Sequence, residues 1–199
     1  MGPVANVQLT ALDDVGTTLL EAAGRLLAEE GPGALTVRRI AGDAGMSTMN
    51  VYSRFGSKHG VVEQLFLHGF RLLAAAMADV PHTDDALADL RTAGSAYRRF
   101  ALEHPTLYSV MFDRAVPDYQ PTDSALATGM ATLQQLAEVL ERAMDAGALR
   151  RLDPLHAAAI VWSTCHGVIS LELKQAGMPI QWDAVYADAC ENVVRGLAT

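Results

Sequence analysis

Within the segment Thr36–Lys58, TVRRIAGDAGMSTMNVYSRFGSK, several side chains offer hydrogen-bond donors and acceptors at spacings suited to a planar base edge and a polyanion. Asn50 carries an amide donor and an amide acceptor side by side, the complement of the adenine edge, and Met49 offers apolar surface for a thymine methyl. Ser47, Tyr52 and Lys58 carry O–H and N–H groups that suit phosphate oxygens, and Arg54 suits either a base or a phosphate. Lys58 also stands at the start of a predicted helix, where the free backbone N–H groups favour phosphate. None of this makes or breaks a bond. It is the chemistry of recognition.

Such groups act together only if short, rigid elements hold them. Val37, Ile40, Ala41 and Ala44 recur at three- and four-residue spacing, which predicts a helix with one apolar face. Thr36 is placed to cap its first turn and Gly45 to end it in the left-handed conformation. Ser47 is placed to cap a second helix, Thr48–Phe55, in which Val51 and Phe55 face inward and Thr48, Met49, Asn50, Ser53 and Arg54 face out. Two short helices joined by a glycine turn form a helix-turn-helix, whose second helix fits the major groove of B-DNA. A hairpin that merely packs in a core would have little reason to expose Asn50 and Arg54 one turn apart.

The order T-V-R-x-I-A-x-x-A-G-M-S-x-x-x-V-Y-x-R-F-x-S-K resembles the DNA-binding region of the tetracycline-repressor (TetR) family of transcriptional regulators. The likeness runs from about Leu19 to Phe66. It implies that Arg38 reaches into the groove from the first helix, where its fork matches guanine, and that Thr48, Met49 and Asn50 occupy recognition positions. His59 and Gly60 depart from the family, which has helix formers there. On propensity alone, Gly60 weakens its helical turn by roughly 1 kcal/mol relative to alanine.

The 199-residue chain is half apolar, poor in aromatics and acidic at −8. That charge argues against a general nucleic-acid coat. Residues 36–60 nevertheless carry Arg38, Arg39, Arg54 and Lys58 against Asp43 alone. A basic patch on an acidic body suits a protein that grips a short DNA site. Cys165 and Cys190 lack metal-type spacing and suggest a reduced, intracellular setting. Asp13 and Asp14 interrupt the N-terminal stretch, so no signal peptide is read there. No apolar run is read as approaching a membrane span, and a cytoplasmic protein that does not engage membranes is expected.

In chain order, the uncharged residues 1–9 are expected to fray and, lacking the basic arm of many TetR-like proteins, to read no minor groove. A helix follows from about Thr10 to Glu30, stopped by Gly31-Pro32-Gly33. Short helices of this total length cannot bury a stable core below roughly 40–50 residues, so they must lean on a long helix, about Ser57 to Val80, shared with the remainder. Pro81–Asp85 is the expected boundary. Further helices are expected over Ala86–Glu103, Thr106–Phe112, Asp123–Ala146 (capped by Asp123, with Leu126 and Met130 inward), Asp153-Pro154 to Ala176, and Trp182–Leu197. The expected fold is all-α with about nine helices. Residues 10–58 form a three-helix DNA-binding unit, joined by the helix over 57–80 to a ligand-binding and dimerisation bundle over 81–199.

The helix after Pro154 is apolar nearly all round and must be covered on every side. A second copy of the chain is a natural cover, with Val161, Cys165 and Val168 of that helix and Trp182, Tyr186, Ala189 and Val193 of the last one at the interface. A homodimer also sets two recognition helices about 34–36 Å apart, as a palindromic operator requires. Tyr97, Phe100, His104, Tyr108, Met111, Phe112, Met130, Trp162 and His166 combine apolar surface with a few polar tips, the make-up of a small-molecule pocket, although each singly reads as ordinary core. The segments E-H-P-x-L-Y-x-x-M-F and W-x-x-x-H-G-V resemble a C-terminal subgroup of the TetR family, the WHG type, and imply an effector pocket without naming the effector. Adjacent Cys165 and His166 point about 100° apart on a helix, and no triad or paired-carboxylate arrangement at a glycine turn is visible. Neither an enzyme, a cofactor nor a metal site is expected. The sequence leads to a repressor that leaves double-stranded operator DNA when a small molecule binds. The competing reading is a helical small-molecule-binding protein with a vestigial DNA-binding unit.

Overall fold

The computed structural model describes residues 12–174 and 177–199. The expected fraying of residues 1–9, the helix start at Thr10 and the helix end at Ala176 lie outside the described residues. Among those described, nine α-helices follow one another: α1 Asp14–Glu30, α2 Val37–Asp43, α3 Thr48–Phe55, α4 Lys58–Ala78, α5 Ala86–Glu103, α6 Pro105–Phe112, α7 Asp123–Asp145, α8 Pro154–Lys174 and α9 Trp182–Leu197. A 3-10 turn, Pro32–Ala34, separates α1 from α2. The only pairing of extended backbone among the described residues is an isolated bridge between Leu149 and Ala198. The fold is all-α, with a helix-turn-helix near its N-terminus.

Local chemistry sets most helix ends. Asp13 caps α1 through Gly16 N at 2.7 Å, Thr36 caps α2 through Arg39 N at 3.2 Å, and Asp153 caps α8 through His156 N at 2.7 Å. Each satisfies one of the free N–H groups of a first turn. Ser57 caps α4 through Gly60 N at 3.2 Å. Asp123 does not cap α7; it is the first helical residue, and Thr122 Oγ1 accepts from Ala125 N instead. Pro105 opens α6 one residue earlier than expected, because proline suits the first helical position, where its missing N–H costs nothing.

The chain divides into two compact units, 1–69 with 106–127 and 70–105 with 128–199. This differs from a single boundary at Pro81–Asp85. In the first unit, Leu19, Ala22 and Ala23 of α1 are buried with Ile40, Val51, Val61 and Val62. The segment after α6 joins them by side-chain bonds. Glu63 accepts from Thr122 Oγ1 at 2.6 Å and from Tyr119 Oη at 3.3 Å, and the rings of Phe66 and Tyr119 stand 6.2 Å apart. By length and composition α4 is long and apolar enough to cross a membrane, which corrects the reading that no run approaches that length. Its Val61, Val62, Leu65 and Phe66 are buried in this unit.

In the second unit, α8 packs along α9 and against α5. Arg98 of α5 joins the three. It donates to Glu172 from Nε at 3.0 Å and Nη2 at 2.6 Å, and to Asp183 from Nη1 at 2.6 Å. Its guanidinium also lies over the Tyr186 ring, 5.5 Å from the centroid. The bidentate carboxylate of Glu172 raises the Arg98 pKa above its ordinary value against the effect of burial, so the guanidinium stays charged. Asp89, buried at the start of α5, accepts from Thr83 N and Oγ1 and from Arg142 of α7. Leu126 and Met130, expected inward on α7, are exposed.

Candidate nucleic-acid interface

The turn between α2 and α3 depends on Gly45, whose φ of +66° lies in the left-handed region that glycine enters without cost. Met46 N then reaches back to Ala41 O at 2.8 Å. The chain leaves the turn extended at Ser47 and enters α3. Only Val51 and Phe55 of this eight-residue helix are buried. Met49 is 70% exposed and Tyr52 53%, with Thr48 and Ser53 exposed beside them. The outer face of α3 thus carries both apolar and small polar side chains.

Ser47 occupies the cap position, but its hydroxyl bonds no backbone N–H of α3. It accepts instead from Asn50 Nδ2 at 3.3 Å, which corrects the expected capping bond. Asn50 Oδ1 in turn accepts from Arg54 Nη1 at 3.2 Å. Arg54 is itself clamped by Asp13, with Nε at 2.8 Å from Oδ1 and Nη2 at 2.7 Å from Oδ2. The N-cap of α1 therefore holds the C-terminal turn of α3, and Arg54 faces a carboxylate within its own chain. Sequence reasoning missed Asp13, read only as a charge that breaks a signal peptide. Its cap position before a helical run was a usable local signal; its bond to Arg54, 41 residues away, was not.

The same pairing redistributes the basic patch. Arg39 is bound to Glu30 at 2.5 Å and Arg25 to Asp43 at 2.9 Å. Arg38, exposed on α2, and Lys58, at the start of α4, have no ion-pair partner among the described residues. These two cations flank α3 with their charge uncompensated.

The Arg54 guanidinium, bonded to its carboxylate, and Gly16 N hold Asp13 down from the ordinary 3.8 to about 2. A depressed carboxyl stabilises the fold above its ordinary value and loses that effect as pH falls through its folded value. The wild-type melting temperature is therefore expected to fall between about pH 4 and pH 2. Asp13→Asn retains a good N-cap, and its melting temperature will change less across that window, as measured by circular dichroism.

Gly60 corrects the sequence reading most sharply. A Cβ there would lie 1.8 Å from Phe55 O and 2.9 Å from Phe55 C. Only glycine lets the first turn of α4 pass this close to the end of α3.

The aromatic and methionine residues expected in a pocket divide between the two units. Tyr108, Met111 and Phe112 fall in the first, with the rings of Tyr108 and Phe112 at 4.9 Å. Tyr97, Phe100, His104, Met130, Trp162 and His166 fall in the second. Trp162 Nε1 donates to Tyr97 Oη at 3.1 Å, and its ring lies 5.4 Å from that of His166. The Phe100 and His104 rings are also 5.4 Å apart. Met130 is 51% exposed. Arg71 of α4 has Nε and Nη2 buried with no hydrogen-bond partner among the described residues.

Of the residues expected at a subunit interface, Val161, Cys165 and Tyr186 are buried inside their own chain. Tyr186 Oη donates to Gly94 O at 2.7 Å and Cys165 lies against Cys190. These three side chains are largely enclosed by their own chain. Val168, Trp182, Ala189 and Val193 stay partly accessible, and Leu155, Leu171 and Val185 are exposed beside them.

Comparison with known proteins adds to this geometry. Residues 19–65 match the bacterial regulatory proteins of the tetR family, and residues 90–195 match the tetracyclin repressor-like C-terminal domain. Among solved structures, the TetR family transcriptional regulator PfmR from Thermus thermophilus is 24% identical with a TM-score of 0.73, covering 91% of this chain and 99% of its own. The fatty acid degradation regulator FadR from Bacillus halodurans is 19% identical with a TM-score of 0.74, covering 91% and 98%. The SmeT–triclosan complex is 18% identical with a TM-score of 0.69, covering 94% and 93%. A search of curated proteins finds no match.

Proposed function

The chain belongs to the TetR family of bacterial regulatory proteins, and from that membership we propose that it is a homodimeric repressor, released from a palindromic operator by a small-molecule effector. The observation that carries this reading is the face of α3. Thr48, Met49 and Tyr52 are bare, Arg54 is held by Asp13 and itself donates to Asn50, and the uncompensated charges of Arg38 and Lys58 flank them. A vestigial DNA-binding unit would have no need of so ordered an outer face.

In this reading Arg38 and Asn50 meet base edges, Met49 meets a thymine methyl, and Ser47, Tyr52 and Lys58 hold phosphates. Arg54 positions Asn50. The partly exposed apolar residues of α8 and α9 meet their counterparts in a second copy, so that two α3 helices face successive major grooves. The helix α4 belongs to both compact units. An effector that prefers one position of α4 shifts the spacing of the two α3 helices, and one with equal affinity for both positions shifts nothing. Two orphaned donors on Arg71 favour an effector with oxygen acceptors, because burying an unpaired donor costs about 1–3 kcal/mol that such a ligand recovers.

Selection of bound fragments from a random DNA library at moderate salt tests the proposal. Recovery of a pseudo-palindrome is the expected result. Recovery of nothing above background refutes the repressor and favours the small-molecule carrier, which a thermal-shift screen led by carboxylates would then pursue. On the selected operator, Lys58→Ala will weaken binding to all sequences alike and flatten the slope of log affinity against log salt by about one unit, measured by fluorescence anisotropy.

A further inference from the structure

Neither the DNA face nor the effector reading uses the two thiols of the second unit. Cys165 of α8 and Cys190 of α9 are both free, and their Sγ atoms stand 3.6 Å apart. We infer that this pair is a peroxide-reactive dithiol that closes to an intrachain disulfide tying α8 to α9. The inference is independent of any DNA binding.

Three observations carry it. First, sulfur atoms in van der Waals contact across two packed helices need only rotamer adjustment and a small approach to reach a bonded distance of roughly 2.05 Å. Second, the two sulfurs differ in access: Cys165 is buried and Cys190 is partly open, which separates an attacking thiol from a resolving one. Third, their surroundings divide those roles in the same way. The Cys165 thiol, helped by the nearby Tyr186 hydroxyl, holds Cys190 below the ordinary thiol range against the effect of burial. The adjacent Cys190 and burial push Cys165 well above the ordinary thiol range. The more accessible sulfur is thus the one with the greater thiolate character, the property that governs reaction with oxidants.

The chemistry balances with a hydroperoxide as oxidant. Cys190 thiolate attacks one peroxide oxygen; the S–O bond forms, the O–O bond breaks, and the alkoxide or hydroxide leaves and takes up a proton. Cys165 then attacks the Cys190 sulfenic acid. The S–S bond forms, the S–O bond breaks, and hydroxide leaves with the Cys165 proton as water. Two electrons pass from the dithiol to the peroxide, and a reducing dithiol returns them.

The test uses the full-length reduced protein with stoichiometric hydrogen peroxide. Free thiols titrated with an aromatic disulfide reagent should fall from two per chain to none, with the intact mass lower by two hydrogens. A tryptic fragment should join the segment after Arg151 to the segment after Lys174. Cys165→Ser should stop at a Cys190 sulfenic acid that dimedone traps, and Cys190→Ser should leave Cys165 unreacted. Two persisting thiols, a link between two chains, or loss of thiols to higher oxides without the joined fragment would each overturn the inference. The wild-type fragment decides the matter even if a serine variant folds poorly.

Discussion

Gly60→Ala is expected to destabilise the first unit rather than strengthen its helix. Helix propensity predicts the opposite, since exchanging glycine for alanine inside a helix gains about 1 kcal/mol. The added Cβ, however, would stand 1.8 Å from Phe55 O and 2.9 Å from Phe55 C. Both are backbone atoms, so no rotamer change relieves the clash. The carbonyl is not free to swing away either, because it accepts from Ser57 N at 2.8 Å. Gly56, at φ +70°, already holds the turn in a conformation other residues resist. Relief requires α4 to pull away from α3, disturbing the start of a helix whose Val61 and Val62 are fully buried. A loss of at least about 3 kcal/mol follows. At roughly 4 °C per kcal/mol the melting temperature should fall by about 10 °C or more. DNA affinity should fall with it, because α3 loses its support. A variant as stable as the parent, or more so, would show that α3 and α4 do not meet as described.

Asn50→Ala is expected to weaken operator binding about 5- to 150-fold, the equivalent of about 1–3 kcal/mol, and to relax preference at one base position. The structure gives this substitution a second route. Asn50 Oδ1 also steadies Arg54 Nη1, and Nδ2 reaches Ser47 Oγ, so part of the loss could come from a loosened Arg54 rather than a missing base contact. Asn50→Asp separates the two routes. It keeps an acceptor for Arg54 and removes the donor that adenine N7 requires. Loss of preference at one position in both variants supports base reading. If Asn50→Asp binds and discriminates like the parent while Asn50→Ala weakens every sequence equally, Asn50 is a prop and the base reader lies elsewhere on α3.

The helix-turn-helix was legible because its signals are local. Thr36, Gly45, Val51 and Phe55 act on residues within a turn or two, and the spacing of apolar positions alone defines which face of a short helix turns inward. Gly60 shows the limit of that logic. Propensity treats a helix as isolated, and here the neighbouring chain, five residues back, determines the sign of the effect. Arg54 shows the same limit at longer range. From sequence it is a cation available to DNA; its partner Asp13 is visible only once α1 and α3 pack together.

Much of the second unit was less legible for a related reason. A helix such as α8, apolar nearly all round, has no hydrophobic face for a pattern to find, so periodicity could not tell which residues its own chain would enclose. Folding buried Val161 and Cys165 and left Leu155 and Leu171 outside. Side chains far apart in sequence met there as well: Arg98 with Glu172, 74 residues away, and Cys165 with Cys190, 25 away. By itself, then, the sequence determined what short-range sterics, capping and periodicity control: the all-α class, most helix limits, the glycine turn, and the family that the motif resembles. Tertiary structure alone decided which cations keep their charge uncompensated, which glycine has no room to change, which apolar residues face out and which thiols touch. Each of these depends on the packing of elements remote in the chain, and no local pattern encodes that packing.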